Sequence, residues 1–366
     1  MTGFVPLAAM PLILSGDAGA RGRGQAADAE ADPSRVRAAT IGRVETARAE
    51  GVLDTQALAY LRAQRAFHET HDPQGMAELG GIAEGFGLDP DELFAHLHLG
   101  TLRDLKDGAA LVEGDGCSAW AVPDGPDGPM LVKNRDYSGT HLGIQKVSLH
   151  TGPDVTTGSM LCVGSLGSPG AYSSGINAAG LALADTHVAV TTHRVGWLRY
   201  FLMTRILATC TTVEEALEFI WGVPHAGGGT LVLADASGAI AAAELGAAKP
   251  GVCTGPVVWR TNHFIIPGLA EDTLSPFGDL IVGNSQTRFD YLEAQLPSRG
   301  WQIADAANLM RTHADSAPLA APLCQHQEGD ASETLSSSIY SCRLRTLTFS
   351  EGRPCAGHWL NYRIPS

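Results

Sequence analysis

At Gly116 the chain changes its pattern, and any fold it adopts must house two kinds of sequence. Upstream, helical periodicity runs over residues 33–61 with a break near Gly51, and two more helices are expected within 76–105. The run Asp89-Pro90-Asp91-Glu92 marks a helix start, with a polar cap, an early proline and acids in the first turn. On that side only residues 10–14 read as a short strand, stopped by Ser15-Gly16-Asp17. Downstream, 117–122 and 130–133 flank a proline- and glycine-rich turn and predict a hairpin. Strand-like runs follow at 144–150, 159–164 and 180–190, then an amphipathic helix over 197–210. A capping box at Thr211 to Glu214 opens the next helix. A second hairpin pairs 230–233 with 239–244 around a turn at Asp235 to Gly238. The tail carries a strand at 257–260, a helix at 285–296 and strands at 335–341 and 344–349. Strands in hairpins and helices in blocks predict an α+β fold with antiparallel sheets, not a doubly wound parallel one.

Composition bounds what that fold can do. The length, 366 residues, allows two domains, and 44% hydrophobic against 17% charged residues excludes wholesale disorder. The 43 glycines and 20 prolines show no period, which excludes a collagen-like chain, and no solenoid repeat is visible. A net charge of −14 argues against a broad basic face for nucleic acid or anionic lipid. No apolar run reaches the roughly 18–20 residues of a membrane helix. Residues 4–14 are apolar, but no Lys or Arg precedes them, so a soluble, cytoplasmic protein is expected. Seven cysteines without a C-x-x-C pair fit neither a disulfide framework nor a zinc knuckle, so a reduced setting and no metal are expected.

Several motifs carry no function on inspection. Gly22-Arg-Gly24-Gln-Ala-Ala27 has a G-x-G-x-x-A form, but it does not close a strand and helix follows helix after it. His68-Glu-Thr-His71 lacks the i, i+4 spacing of zinc hydrolases, and His96 and His98 fare no better. There is no G-x-S-x-G elbow and no phosphate-cradling loop.

The junction Asp115-Gly116-Cys117-Ser118 is where chemistry is expected. A cysteine thiol can attack the unhindered carbonyl of a preceding glycine, and glycine tolerates the strained backbone of an N-to-S acyl shift. Hydrolysis of the thioester leaves Cys117 as a new N-terminus, whose amine, with a pKa of about 7.7–8.0, suits a general base. On these residues alone, a buried strand cysteine is the commoner arrangement.

The wider pattern adds to this. Gly116-Cys117-Ser-Ala-Trp, followed by Lys133-Asn-Arg-Asp136-Tyr, resembles the opening of the cysteine N-terminal nucleophile hydrolases. Residues 14–22, Gly175-Ile-Asn-Ala-Ala-Gly180, Thr261-Asn-His-Phe264, Asn284-Ser-Gln-Thr-Arg288 and Pro354-Cys-Ala-Gly357 extend the likeness over nearly the whole chain. The resemblance is greatest to the acyl-coenzyme A:6-aminopenicillanic acid acyltransferase family, with bile salt hydrolases and penicillin V acylases further off.

The resemblance implies a four-layer αββα sandwich and a cut between Gly116 and Cys117. The products are a mostly helical α chain, 1–116, and a β chain, 117–366, which stay associated as one globular unit. It implies Cys117 as nucleophile and base, Asp136 orienting its amine, Asn262 on the oxyanion side and Arg288 supporting the nucleophile. Losing one oxyanion donor typically costs roughly 3–4 kcal/mol in the barrier. Two departures stand out. Lys133 replaces an arginine of the bile salt hydrolases, with Arg135 two residues on. Asp185-Thr-His187 stands where those relatives place a second asparagine, so His187 or a backbone N–H is a candidate donor. His263 is a candidate for the pocket wall.

The expected activity is self-processing amide hydrolysis on small acylated amino compounds, N-acyl amino acids, short peptides or β-lactams, without metal or redox cofactor. One alternative is acyl transfer to an amine such as a β-lactam nucleus, with acyl-CoA entering only as a substrate. The other is an uncleaved, non-catalytic homologue. Loops 138–143, 165–175 and 265–280 are candidate pocket walls, the last a candidate lid.

Overall fold

The structure is a computed structural model and describes residues 4–107, 116–274, 280–298, 300–314, 322–326, 332–356 and 358–365. Two sheets stand at its centre. The first runs, in spatial order, Leu7–Ala8, His358–Arg363, Thr346–Glu351, Ser332–Ser341, Met130–Ser138, Ser118–Val122, Val258–Arg260. The second runs Gly251–Cys253, Ile240–Glu244, Thr230–Ala234, Ala182–Thr186, Ser174–Asn177, Met160–Ser165, Gln145–Thr151, Leu12–Ser15. Pairing is antiparallel except where the two N-terminal strands join the edges in parallel.

Side-chain alternation builds the layers. In Ser118–Val122, Ala119 and Ala121 face Leu161, Val163, Ala184 and Val232 of the other sheet. Trp120 and Val122 point the opposite way, onto Leu292 of helix Leu280–Gln295, Leu296, Trp301, and Leu309 and Met310 of helix Ile303–Met310. The outer face of the second sheet, through Met160, Cys162, Leu183 and Leu231, is covered by apolar residues of the N-terminal helices and of helix Arg199–Thr209. The order is therefore α-β-β-α. Both strand faces are buried, which is why these strands read as continuous apolar runs.

Residues on either side of position 116 share that outer core, Val36, Leu79 and Leu93 packing with Leu183 and Leu231. Glycines set how closely the first helices approach. A Cβ at Gly22 would overlap the Glu78 carbonyl, and one at Gly81 the Gly19 carbonyl. Helix Ala18–Gly24 is thus backbone-to-backbone against Pro73–Phe86, and the G-x-G-x-x-A string is a packing motif. Arg21, in the same helix, forks onto Asp154 at 2.7 and 2.6 Å.

The elements depart from expectation in a few places. The run 180–190 is a strand only over Ala182–Thr186, and Ser174–Asn177 pairs beside it. The capping box sits one residue later: Thr212 accepts from Glu215 N at 3.2 Å, while Glu215 receives the Thr211 N–H. Helix Ile303–Met310 and strands Gly251–Cys253 and His358–Arg363 are additional. Among the described residues, no helix is long and apolar enough to cross a membrane.

Candidate active site

The first hairpin brings the expected residues together. Cys117 immediately precedes the strand Ser118–Val122, and Asp136 lies on the returning strand Met130–Ser138, in register with Thr334. Arg288 projects from helix Leu280–Gln295 and Asn262 from the segment after strand Val258–Arg260. All four side chains are buried. Asp115 lies outside the described residues.

Arg288 is the hub. Its Nη1 donates to the Cys117 carbonyl at 2.6 Å and to Ser118 Oγ at 3.0 Å. Its Nη2 donates to Asn262 Oδ1 at 2.8 Å, and its Nε to Asn284 Oδ1, one turn back, at 2.7 Å. Asn262 Oδ1 also accepts the Cys117 backbone N–H at 2.9 Å, and Asn262 Nδ2 donates to the His187 carbonyl at 2.8 Å. Two donors converge on one atom and an acceptor faces the other, which fixes the amide orientation. A planar, permanently charged fork thereby clamps the backbone on both sides of the Cys117 side chain.

Asp136 is held by one oxygen only. Oδ1 accepts the Thr334 hydroxyl at 2.5 Å, whereas the buried Oδ2 has no partner among the described residues. A Cβ at Gly116 would come within 3.1 Å of Oδ2 and 3.3 Å of Arg288 Nη2. The lone oxygen therefore faces Gly116. Burial pushes the Asp136 carboxyl up to about 7, against the pull of Arg288. Burial also raises the Cys117 thiol, opposed by the Lys133 ammonium.

The Asp136 shift makes a prediction. Between the unfolded value of about 3.9 and the folded value of about 7, the folded chain binds more protons, so its stability falls as pH rises through that window. In a Cys117→Ala background, where no new ammonium can form, Asp136→Asn removes this penalty. Thermal unfolding is expected to show a relative stabilisation that grows by roughly 3 kcal/mol between about pH 5 and pH 8. A pH-independent difference between the two proteins would contradict it.

Lys133 answers to Asp185. Its Nζ donates to the Ser173 carbonyl at 3.1 Å and to Asp185 Oδ1, while Asp185 Oδ2 accepts Arg199 Nε at 2.8 Å. Burial alone would raise the Asp185 carboxyl, but Lys133 and Arg199 together hold it below the usual carboxylate range. Cys117, Lys133, Arg135, Asp136, Asp185 and His187 line one pocket, with Tyr137, Tyr172, Tyr200 and Arg199. The His187 ring is brought down to about 4, chiefly by burial. His263 does not line this pocket; its Nδ1 meets Ser285 Oγ at 2.8 Å and its ring packs on Phe289. Of the candidate wall loops, 165–175 contributes Tyr172 and Ser173, while 138–143 and the described part of 265–280 contribute nothing. Residues 275–279 of the candidate lid lie outside the described residues.

Sequence reasoning missed Thr334, Asn284 and Ser285, and it read Asp185 only as a replaced asparagine. Asn284 and Ser285 sat inside the motif ending at Arg288, so the signal was present. Thr334 carries none, because its role depends on the register of Ser332–Ser341 against Met130–Ser138.

Two stacked, mainly antiparallel sheets thus lie between helical layers, with a cysteine opening an inner strand. Residues 123–356 match the family model of acyl-coenzyme A:6-aminopenicillanic acid acyl-transferase, and the chain belongs to that family. The matched span takes in Asp136, Asn262 and Arg288 and begins after Cys117. Among solved structures, a mutant of conjugated bile acid hydrolase from Clostridium perfringens is similar at 11% identity and TM-score 0.40, covering 68% of this chain and 97% of that one. Penicillin V acylase from Agrobacterium tumefaciens is similar at 14% identity and TM-score 0.34, covering 64% and 83%. No curated protein matches the sequence significantly.

Proposed function

We propose that the chain is the precursor of a cysteine N-terminal nucleophile amidohydrolase that cuts itself between Gly116 and Cys117. The observation that carries this reading is the Arg288 clamp on the Cys117 carbonyl and on the asparagine that holds the Cys117 N–H, with an unpartnered carboxylate oxygen facing Gly116. Cys117 Sγ attacks the Gly116 carbonyl carbon, the thiol proton passes to the Cys117 nitrogen, and the C–N bond breaks. Water then hydrolyses the thioester, which frees the Gly116 carboxylate, restores the thiol and leaves an α-amine. Asp136 Oδ2 accepts from the ammonium that this amine becomes.

With substrate, the amine takes the thiol proton as Sγ attacks the amide carbon. The ammonium returns a proton to the leaving amine, and water clears the acyl-cysteine to give acid and free enzyme. Asn262 Nδ2 has one N–H engaged with His187 and one left for the oxyanion. Acid-quenched mixtures with a panel of N-acyl amino acids and dipeptides are expected to carry the acyl mass on the 117–366 chain. No adduct and no turnover across the panel would sink the reading. Amide product appearing only with an added amine would redirect it to acyl transfer, which the family's name supports.

Arg135 adds a preference among substrates. It is buried in the pocket wall and, among the described residues, donates to the neutral Gln145 Oε1 and Ser165 Oγ, at 3.0 and 2.9 Å. It lies over the Tyr137 and Tyr172 rings, with no ion-pair partner among the described residues. A buried cation without an acid favours substrates that bring a carboxylate. Arg135→Met is expected to raise KM for carboxylate-bearing amides about ten- to hundredfold and to leave their methyl esters nearly unaffected. Equal effects on acid and ester would contradict this.

A further inference from the structure

Away from the pocket, four side chains from three separate segments converge. His313, Cys324, His326 and Cys355 each present one ligand atom, and these atoms all lie within 4.8 Å of one another. His326 Nε2 is the centre: His313 Nε2 lies at 3.2 Å, Cys324 Sγ at 3.3 Å and Cys355 Sγ at 3.2 Å. Bonds of about 2.0–2.1 Å to nitrogen and about 2.3 Å to sulfur give a tetrahedral site edges of roughly 3.3–3.8 Å. The three spacings around His326 Nε2 are close to that and the remaining pairs lie within 4.8 Å, so side-chain shifts of an ångström or so would complete the geometry.

We propose that these four residues form a structural zinc site, Cys324 and Cys355 binding as thiolates and His313 and His326 as neutral imidazoles. The ligand set is two soft sulfurs and two imidazoles with no carboxylate, which suits zinc and not calcium, magnesium or manganese. Four protein ligands leave no open position, so the ion holds structure and takes no part in chemistry. The backbone frames the site: Cys324 N donates to the Thr312 carbonyl at 3.0 Å, which sets His313 beside Cys324. Each thiol gives its proton to solvent on binding. Spacing in the sequence hid the site, since a C-x-x-C search passes over a single Cys-x-His pair completed from 11 residues upstream and 29 downstream of its two members.

The site stands directly behind the catalytic carboxylate. Cys324 and His326 flank Gln325, whose backbone N–H donates to Thr334 Oγ1 at 2.7 Å and whose carbonyl accepts Thr334 N–H at 3.1 Å. Thr334 in turn donates to Asp136 Oδ1. The Gln325 side chain also takes Asn284 Nδ2 at 3.2 Å, and Asn284 holds Arg288. A bound ion would therefore fix the positioning residue shared by both sides of the active site, although the metal proposal itself does not depend on the catalytic reading.

The full chain, produced with zinc in the medium and dialysed without strong chelator, is expected to carry about one zinc per chain by elemental analysis. Cobalt exchange should give a sulfur-to-cobalt charge-transfer band and the intense visible bands of a tetrahedral centre. Cys355→Ser should lower the zinc content at least tenfold, and His313→Ala should weaken the charge-transfer spectrum least, since both sulfurs remain. Metal-free wild type that takes up neither zinc nor cobalt would overturn the proposal. So would a mass two hydrogens light, with Cys324 and Cys355 joined as a disulfide in freshly purified protein.

Discussion

Replacing Cys117 by alanine should leave one chain of residues 1–366 under denaturing conditions, where the wild type gives two, 1–116 and 117–366. The physical reason is that only the thiol supplies both a bond to the Gly116 carbon and a proton for the Cys117 nitrogen. The surrounding clamp remains, since Arg288 and Asn262 grip backbone atoms of residue 117 that alanine also has. The variant should therefore fold and stay whole, and its amide turnover should fall by at least roughly 10⁴-fold. Because burial raises the thiol, little thiolate exists near neutrality, and the cut should quicken as pH rises from about 6 to about 8. Intact mass against time, from freshly prepared and aged samples, reads all of this. A wild type that stays single throughout would remove the free-amine base and with it the mechanism.

How much of this was legible beforehand follows from where the information lies. Gly116 and Cys117 are neighbours, so their chemistry can be argued from the residues themselves. Asp136 lies on the returning strand of the predicted hairpin, and its role came from the family resemblance. Thr334 was not legible, because a strand of serines and threonines fits several registers until its partner selects one. Ser174–Asn177 was missed as a strand because its Ser-Gly-Ile-Asn composition has low strand propensity; two flanking strands hold it in place. Strand His358–Arg363 alternates only weakly and is half exposed, so no period marks it. The four candidate zinc ligands are a tertiary fact altogether: three loops meet there, and no local pattern anticipates it.

Lys133 is the residue whose loss should be felt next most strongly, and the reason separates stability from reactivity. Asp185 is buried between Lys133 and Arg199, so the triad carries one net positive charge close to the thiol. Lys133→Met leaves Asp185 paired with Arg199 alone and should cost about 1.5–3 kcal/mol, the usual worth of a charged hydrogen bond. Asp185→Ala strands two cations and should cost more still. Reading Asp185 as a mere replacement for an oxyanion asparagine predicts the reverse order, since lysine would then have no acid to desert. The thiol reports the same charge independently: without the ammonium that opposes its burial, Cys117 should need a higher pH to react with iodoacetamide. Two variants and two measurements, unfolding and alkylation against pH, thus test one electrostatic unit. If Lys133→Met unfolds like wild type and alkylates on the same profile, the Lys133–Asp185–Arg199 triad does not govern this site.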